Sequence, residues 1–204
     1  MLVGVTGSIG SGKSSVAKLL GKLLSARVFS ADEICRQMLE VDQPAYLEFV
    51  KRWGTKFLGA DKKIDRSLLR EQVFLDLDIR ESLESILHPM VRTKLLEEKL
   101  STPSQCFMVA EVPLLYESGW EHDFDSIVCV ACDTSHVIDR VKQRDKVSAD
   151  EVEKIITSQM QASKKKKRSD WVIDNNGEFS ETEVQVAALA DTLKKKFCHR
   201  GSSQ

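Results

Sequence analysis

Residues 6–15, TGSIGSGKSS, restrict the possible folds of this chain more than any other stretch. Gly7, Gly12, Lys13 and Ser14 satisfy G-x-x-x-x-G-K-[ST], a phosphate-binding loop that works only between a strand and a helix. Glycines let the backbone curl so that successive N–H groups face inward, and the following helix brings its positive end to the same point. A polyphosphate fits there, with Lys13 reaching the outer phosphates as a point charge and the Ser14 hydroxyl holding Mg²⁺. Four fixed positions match by accident in roughly one chain of this size in a hundred. The flanks lower that figure, because residues 2–5 read as an apolar strand and Val16, Leu19, Leu20, Leu23 and Leu24 recur at helical spacing.

The rest of the chain alternates in the same way, which predicts an α/β fold with five parallel strands. Strands are expected at 26–30, 105–112, 126–132 and 171–174, with helices at 13–25 and 181–197. Residues 46–104 are helical in pattern. Trp53, Phe57 and Leu58 mark one cluster and Leu68, Leu69, Val73 and Phe74 another. Such a segment is longer than an ordinary crossover and is expected to protrude as a helical lobe. The domain expectation is therefore a nucleotide-binding core of residues 1–45 and 105–197 with a lid at about 140–165, a helical insertion at 46–104, and a frayed tail at 198–204.

Several side chains have both a chemical and a structural reading. In open parallel sheets ligands gather at the carboxyl ends of strands, so Asp32, two residues past the second strand, suits catalysis as well as it suits a helix cap. His88 titrates in the useful range, but a lone histidine on an apolar face is more often structural. Glu111 and Asp133 both follow strands and are alternatives for a magnesium-bound water, with Glu111 also a candidate partner for Lys13. Arg140 and Arg144 lie four apart on one helical face. Ser148 and Glu151 make a capping box that starts the next helix near Ala149. That arrangement resembles a small lid whose arginines fold over a triphosphate. Residues 164–168, KKKKR, read as the solvated end of a helix.

Composition excludes some classes. A formal net charge of −1 gives no general pull toward nucleic acid, and no apolar run approaches the roughly 18 residues of a membrane span. The first residues form a strand and loop rather than a signal peptide, and the five cysteines, an odd number, are scattered, so a reducing, cytoplasmic setting is expected. Cys129 and Cys132 fall in one apolar run, on opposite faces of a strand, and are expected to be separate buried thiols. There is no N-K-x-D motif for guanine, which disfavours a nucleotide switch as an alternative to a kinase.

The loop, S-A-D at residues 30–32, L-H-P at 87–89, V-P-L-L-Y-E at 112–117, Q-R-D at 143–145 and W-V-I-D-N-N-G at 171–177 follow the order seen in dephospho-coenzyme A kinases, a branch of the P-loop kinases. The resemblance runs from residue 1 to about 197. It implies ATP- and Mg²⁺-dependent phosphorylation of the ribose 3′-hydroxyl of dephospho-coenzyme A, with a five-stranded parallel sheet, a helical substrate-binding insertion and a small lid. Asp32 matches the second acid of the family's D-A-D and would orient or deprotonate the acceptor hydroxyl, with Lys13 and Arg140 as catalytic partners. The resemblance places ATP on Gly10, Ser11, Gly12, Lys13, Ser14, Ser15, Arg140, Asn175 and Gly177, and the substrate on Asp32, His88, Pro113, Leu114, Leu115 and Arg144. Three departures stand out: Ser30 replaces the first acid of D-A-D, Ser8 a usual glycine and Ser15 a usual threonine. A kinase acting on a nucleoside or another small alcohol is the rival reading.

Overall fold

The computed structural model describes the backbone of residues 1–201 and the side chains of residues 1–197 except that of Phe74. In chain order the elements are β1 Leu2–Gly7, α1 Lys13–Leu23, β2 Arg27–Ser30, α2 Ala31–Met38, α3 Pro44–Trp53, α4 Arg66–Leu75, α5 Leu77–Ser101, β3 Met108–Glu111, β4 Ser126–Ala131, α6 Thr134–Asp145, α7 Ala149–Ser158, α8 Ala162–Arg168, β5 Trp171–Asp174 and α9 Phe179–Gly201. They form two compact units, one made of Met1–Ser30 with the chain from Lys99 onward, the other of Ala31–Glu98.

The first unit is an all-parallel sheet in the order β2-β3-β1-β4-β5. Every residue of β1 and β4 is buried, as both faces of a parallel sheet must be when helices cover them. Val3, Val5, Val109, Val128 and Val130 meet Val16, Ala17 and Leu20 of α1 and Val186, Leu189, Ala190 and Leu193 of α9. The α9 stripe differs from the one expected from sequence. Apolar spacing in the sequence assigns Val184, Ala187, Ala188, Leu189 and Leu193 to it, but Val184 is 71% exposed, because two residues before Val186 is about 200° around the helix. Helix α1 stops at Leu23, since Ser25 turns to φ 50°, and β3 begins only at Met108, after a turn closed by Cys106 N–H donating to Pro103 O. Residues 202–204 of the expected tail lie outside the described residues.

Helices α6 and α7 share a small core of Cys132, Val137, Val141 and Val152 with Ile9 of the loop. The capping box is present, with Ser148 and Glu151 bonding each other's backbone N–H. The lysine run closes a short helix of its own, α8, in keeping with the helix-end reading. Lys164, Lys166 and Lys167 are exposed, but Lys165 is fully buried, which corrects the solvated reading for that residue.

The second unit has one core, not the two clusters expected. Phe49 stacks on Trp53 and Phe57 at centroid distances of 4.7 and 5.8 Å, and Leu69 and Val73 pack into the same group. Leu68 is partly exposed, and the side chain of Phe74 lies outside the described residues. The unit begins at Ala31, earlier than the boundary at 46, because Leu39 and Val41 pack on that aromatic core and Glu40 accepts a bond of 2.7 Å from Arg66. Among the described residues no helix is long and apolar enough to cross a membrane.

Candidate active site

The loop after β1 is shaped by glycine geometry that no other residue could reproduce. Gly12, the N-cap of α1, has φ 92° and ψ 17°, and a Cβ there would stand 2.2 Å from Asn175 Nδ2. Gly10 has φ 69°, and a Cβ would meet Val141 Cγ2 of α6 at 2.6 Å. Helix α1 starts with no side-chain cap and no acidic residue in its first turn, so its leading N–H groups and positive end are left for an anion. Ser11 Oγ is buried without a hydrogen-bond partner in the same loop. A crowded cradle, uncapped amides and an orphaned hydroxyl fit a polyphosphate.

Lys13, almost completely buried, donates from Nζ to Ser8 O at 2.7 Å, so its charge is folded back over the loop. Ser14 Oγ donates to Glu111 Oε1 at 2.6 Å. The register explains this pairing. Glu111 is the last residue of β3, opposite Val5 of β1 and Ser30 of β2, and so reaches the edge where the loop sits. Asp133 is instead the N-cap of α6, its backbone N–H donating to Asn176 Oδ1 at 2.7 Å. A hydroxyl beside a carboxylate is a hard-oxygen pair suited to Mg²⁺ that keeps waters and phosphate ligands. Among the described residues no three His, Cys, Asp or Glu side chains gather into a metal cluster, so such an ion would depend on substrate oxygens.

Asn175 proves to be an anchor. Its buried side chain donates from Nδ2 to Ser11 O at 2.8 Å and accepts from Thr182 Oγ1 at 2.8 Å, while its backbone O accepts from Arg140 Nη2 at 3.1 Å. Gly177 is exposed in the turn that follows. Arg140 is thereby brought to the loop's support, with Nη1 also donating to Cys132 Sγ at 3.5 Å. Arg144 is not brought there; it is exposed and forks onto Asp145 at 2.8 and 2.9 Å. Pro113 and Leu114 are half-buried, whereas the Leu115 side chain packs beside Gly4 in the core. Sequence reasoning overlooked Thr182 and Gln159, whose Oε1 accepts from Ile9 N–H at 3.1 Å; neither lies in a motif.

The four cysteines with described side chains are free thiols. Burial raises the Cys129 and Cys132 thiols, and burial with the nearby Asp32 charge pushes Cys35 up to about 12, so all three are poor nucleophiles.

In the helical unit, Asp32 lies in the first turn of α2 rather than at its cap, and it is exposed. His88 lies in α5 just before Pro89, which the helix carries in its interior. Burial, joined by the Arg80 charge and opposed by Glu84, holds the His88 imidazole below 6.5. The folded state therefore prefers neutral His88. Above the unfolded value this costs nothing; as pH falls below about 6.5 the unfolded chain takes up a proton that the folded one refuses, and stability is lost. Between pH 7.5 and 5.5 the melting temperature of wild type should fall more than that of His88→Gln, and parallel curves would show that His88 does not carry this dependence.

A family model described as dephospho-CoA kinase matches residues 1–181. A dephospho-CoA kinase of Desulfotalea psychrophila is 36% identical over 198 residues, 96% of this chain and 100% of that one. Among solved structures, the Thermus thermophilus protein TT1252 superposes with a TM-score of 0.76 at 32% identity, covering 96% of this chain and 97% of its own. The dephospho-CoA kinase from Campylobacter jejuni gives a TM-score of 0.68 at 28% identity, covering 96% and 98%. Matched in sequence along nearly its whole length, and built on the phosphate loop described above, the chain belongs to the dephospho-CoA kinase family.

Proposed function

We propose that the chain carries out the reaction of its family, transfer of the ATP γ-phosphoryl group to the ribose 3′-hydroxyl of dephospho-coenzyme A, giving coenzyme A and ADP. The observation that carries this reading is the glycine loop with Lys13 folded over it and Ser14 bonded to Glu111. Loop amides and Lys13 hold the phosphates, and Gly10, Ser11, Gly12 and Ser15 shape the cradle around them. Ser14 and Glu111 would hold Mg²⁺, directly or through water; the ion supplies charge neutralisation between the outer phosphates. Asn175 supports this cradle through Ser11 O, and the turn at Gly177 is where the family resemblance puts the adenine.

The acceptor side rests on the S-A-D, L-H-P and V-P-L-L resemblances. Asp32 accepts or orients the proton of the attacking hydroxyl, while His88, Pro113, Leu114 and the backbone at Leu115 hold the substrate. Arg140 neutralises charge on the transferring group. Arg144 joins it by exchanging Asp145 for phosphate, an acceptor that its planar guanidinium also binds through two parallel bonds. Since the transition state is loose, positioning and electrostatics supply nearly all the acceleration. Free thiols agree with a reducing cytoplasm as the place of work.

The test is ADP formation with ATP, Mg²⁺ and dephospho-coenzyme A, each omitted in turn and with adenosine as the competing acceptor. Turnover requiring all three components and strongly favouring dephospho-coenzyme A is expected. Hydrolysis indifferent to the acceptor, or equal use of adenosine, would overturn the assignment.

A further inference from the structure

A lysine within a basic run should be solvated, yet Lys165 is 0% exposed. Its Nζ donates to Pro113 O at 2.8 Å and pairs with Glu117 Oε1 at 2.9 Å. Each of these acceptors has a second tie. Pro113 O also receives Thr6 Oγ1 at 3.2 Å, from the residue preceding the first loop glycine. Glu117 Oε1 also receives Met160 N–H at 2.8 Å, and the neighbouring Gln159 accepts from Ile9 N–H inside the loop. A second layer of bonds backs this arrangement: Ser169 Oγ donates to Lys165 O and lies 2.8 Å from Tyr116 OH, while Arg168 sits 4.6 Å above the Tyr116 ring.

The ammonium thus pins α8 to the turn after β3 at two points, and the same two acceptors tie that turn to the end of β1 and to the chain that leaves α7. Apolar packing could fill the same volume without the cost of desolvating a charge, so a buried lysine here is explained by what it specifies rather than by what it stabilises. Its two acceptors are fixed in direction, and both lie on the turn that directly follows Glu111, the residue bonded to Ser14. If that turn slides, Glu111 and the half-buried Pro113 and Leu114 move with it.

We infer that Lys165 is a positioning residue for phosphoryl transfer, locking the 113–117 turn and the segment after α7 in register with the phosphate loop. The inference rests on the reaction proposed above. Lys165→Met keeps the length and removes the charge. Its kcat should fall by about tenfold to a hundredfold, the scale of a small misplacement at a reacting centre, with the KM for dephospho-coenzyme A raised and the KM for ATP nearly unchanged. Hydrogen exchange of residues 113–117 should accelerate. A filler role would lower the melting temperature and leave kcat and both KM values per folded molecule at wild-type levels; that result overturns the inference. If Lys165→Met does not fold, Glu117→Gln, which removes the ion pair and leaves the Pro113 bond, should move the same parameters in the same direction, and wild-type kinetics would overturn it. Should wild type itself transfer no phosphoryl group, the reaction assignment fails, and unchanged exchange at 113–117 in the variants would then overturn the positioning role separately.

Discussion

Asp32→Asn should fold like wild type, bind ATP like wild type, and lose about 10²–10⁴ in kcat, the range for removing a positioned general base. The substitution is nearly isosteric at an exposed position in the first turn of α2, so its structural cost is limited to a favourable helix-terminus charge, about 0.3–1 kcal/mol. The loss must therefore appear in turnover. Because Ser30 stands where the family has its first acid, no neighbouring carboxylate of that motif can substitute. A variant with wild-type turnover removes Asp32 from the mechanism.

Lys13→Ala should lose on the order of 10²–10³ in kcat/KM, the effect of deleting a preorganised charge donor from a transition state that spreads negative charge over three oxygens. Two terms act together. The variant lacks the point charge, and it lacks the bond from Nζ to Ser8 O that holds the loop closed. ATP affinity should drop as well, measurable by calorimetry in the absence of acceptor. Lys13→Arg should not restore activity, because a planar fork cannot replace a compact ammonium folded back over the loop. Wild-type ATP affinity together with wild-type turnover in Lys13→Ala would leave the loop without a role for its lysine.

The parts of this protein that could be read directly were those governed by near neighbours. The glycine-lysine-serine spacing carries its own strand–loop–helix geometry, the Ser148–Glu151 capping box closes within one turn, and β5 falls at Trp171–Asp174 as expected. Periodicity was less reliable where a helix could rotate: the α9 stripe shifted to Val186, Leu189, Ala190 and Leu193 and left Val184 in solvent. The helical pattern marks the second unit in the sequence, but its start at Ala31 depends on where Leu39, Val41 and Glu40 find partners across the unit.

What local spacing settled was the chemistry class: a loop that grips phosphates, a lysine and a hydroxyl at its exit, and five strands alternating with helices. Folding alone selected Glu111 over Asp133 as the partner of Ser14, 97 residues away, tied Asn175 to Ser11 across 164, and buried Lys165 against Pro113 across 52. Sequence distance hides such pairs because a strand's register, not its composition, decides which acid reaches the sheet's carboxyl edge. A lysine in a row of lysines differs from its neighbours only through the acceptors that the fold brings to it.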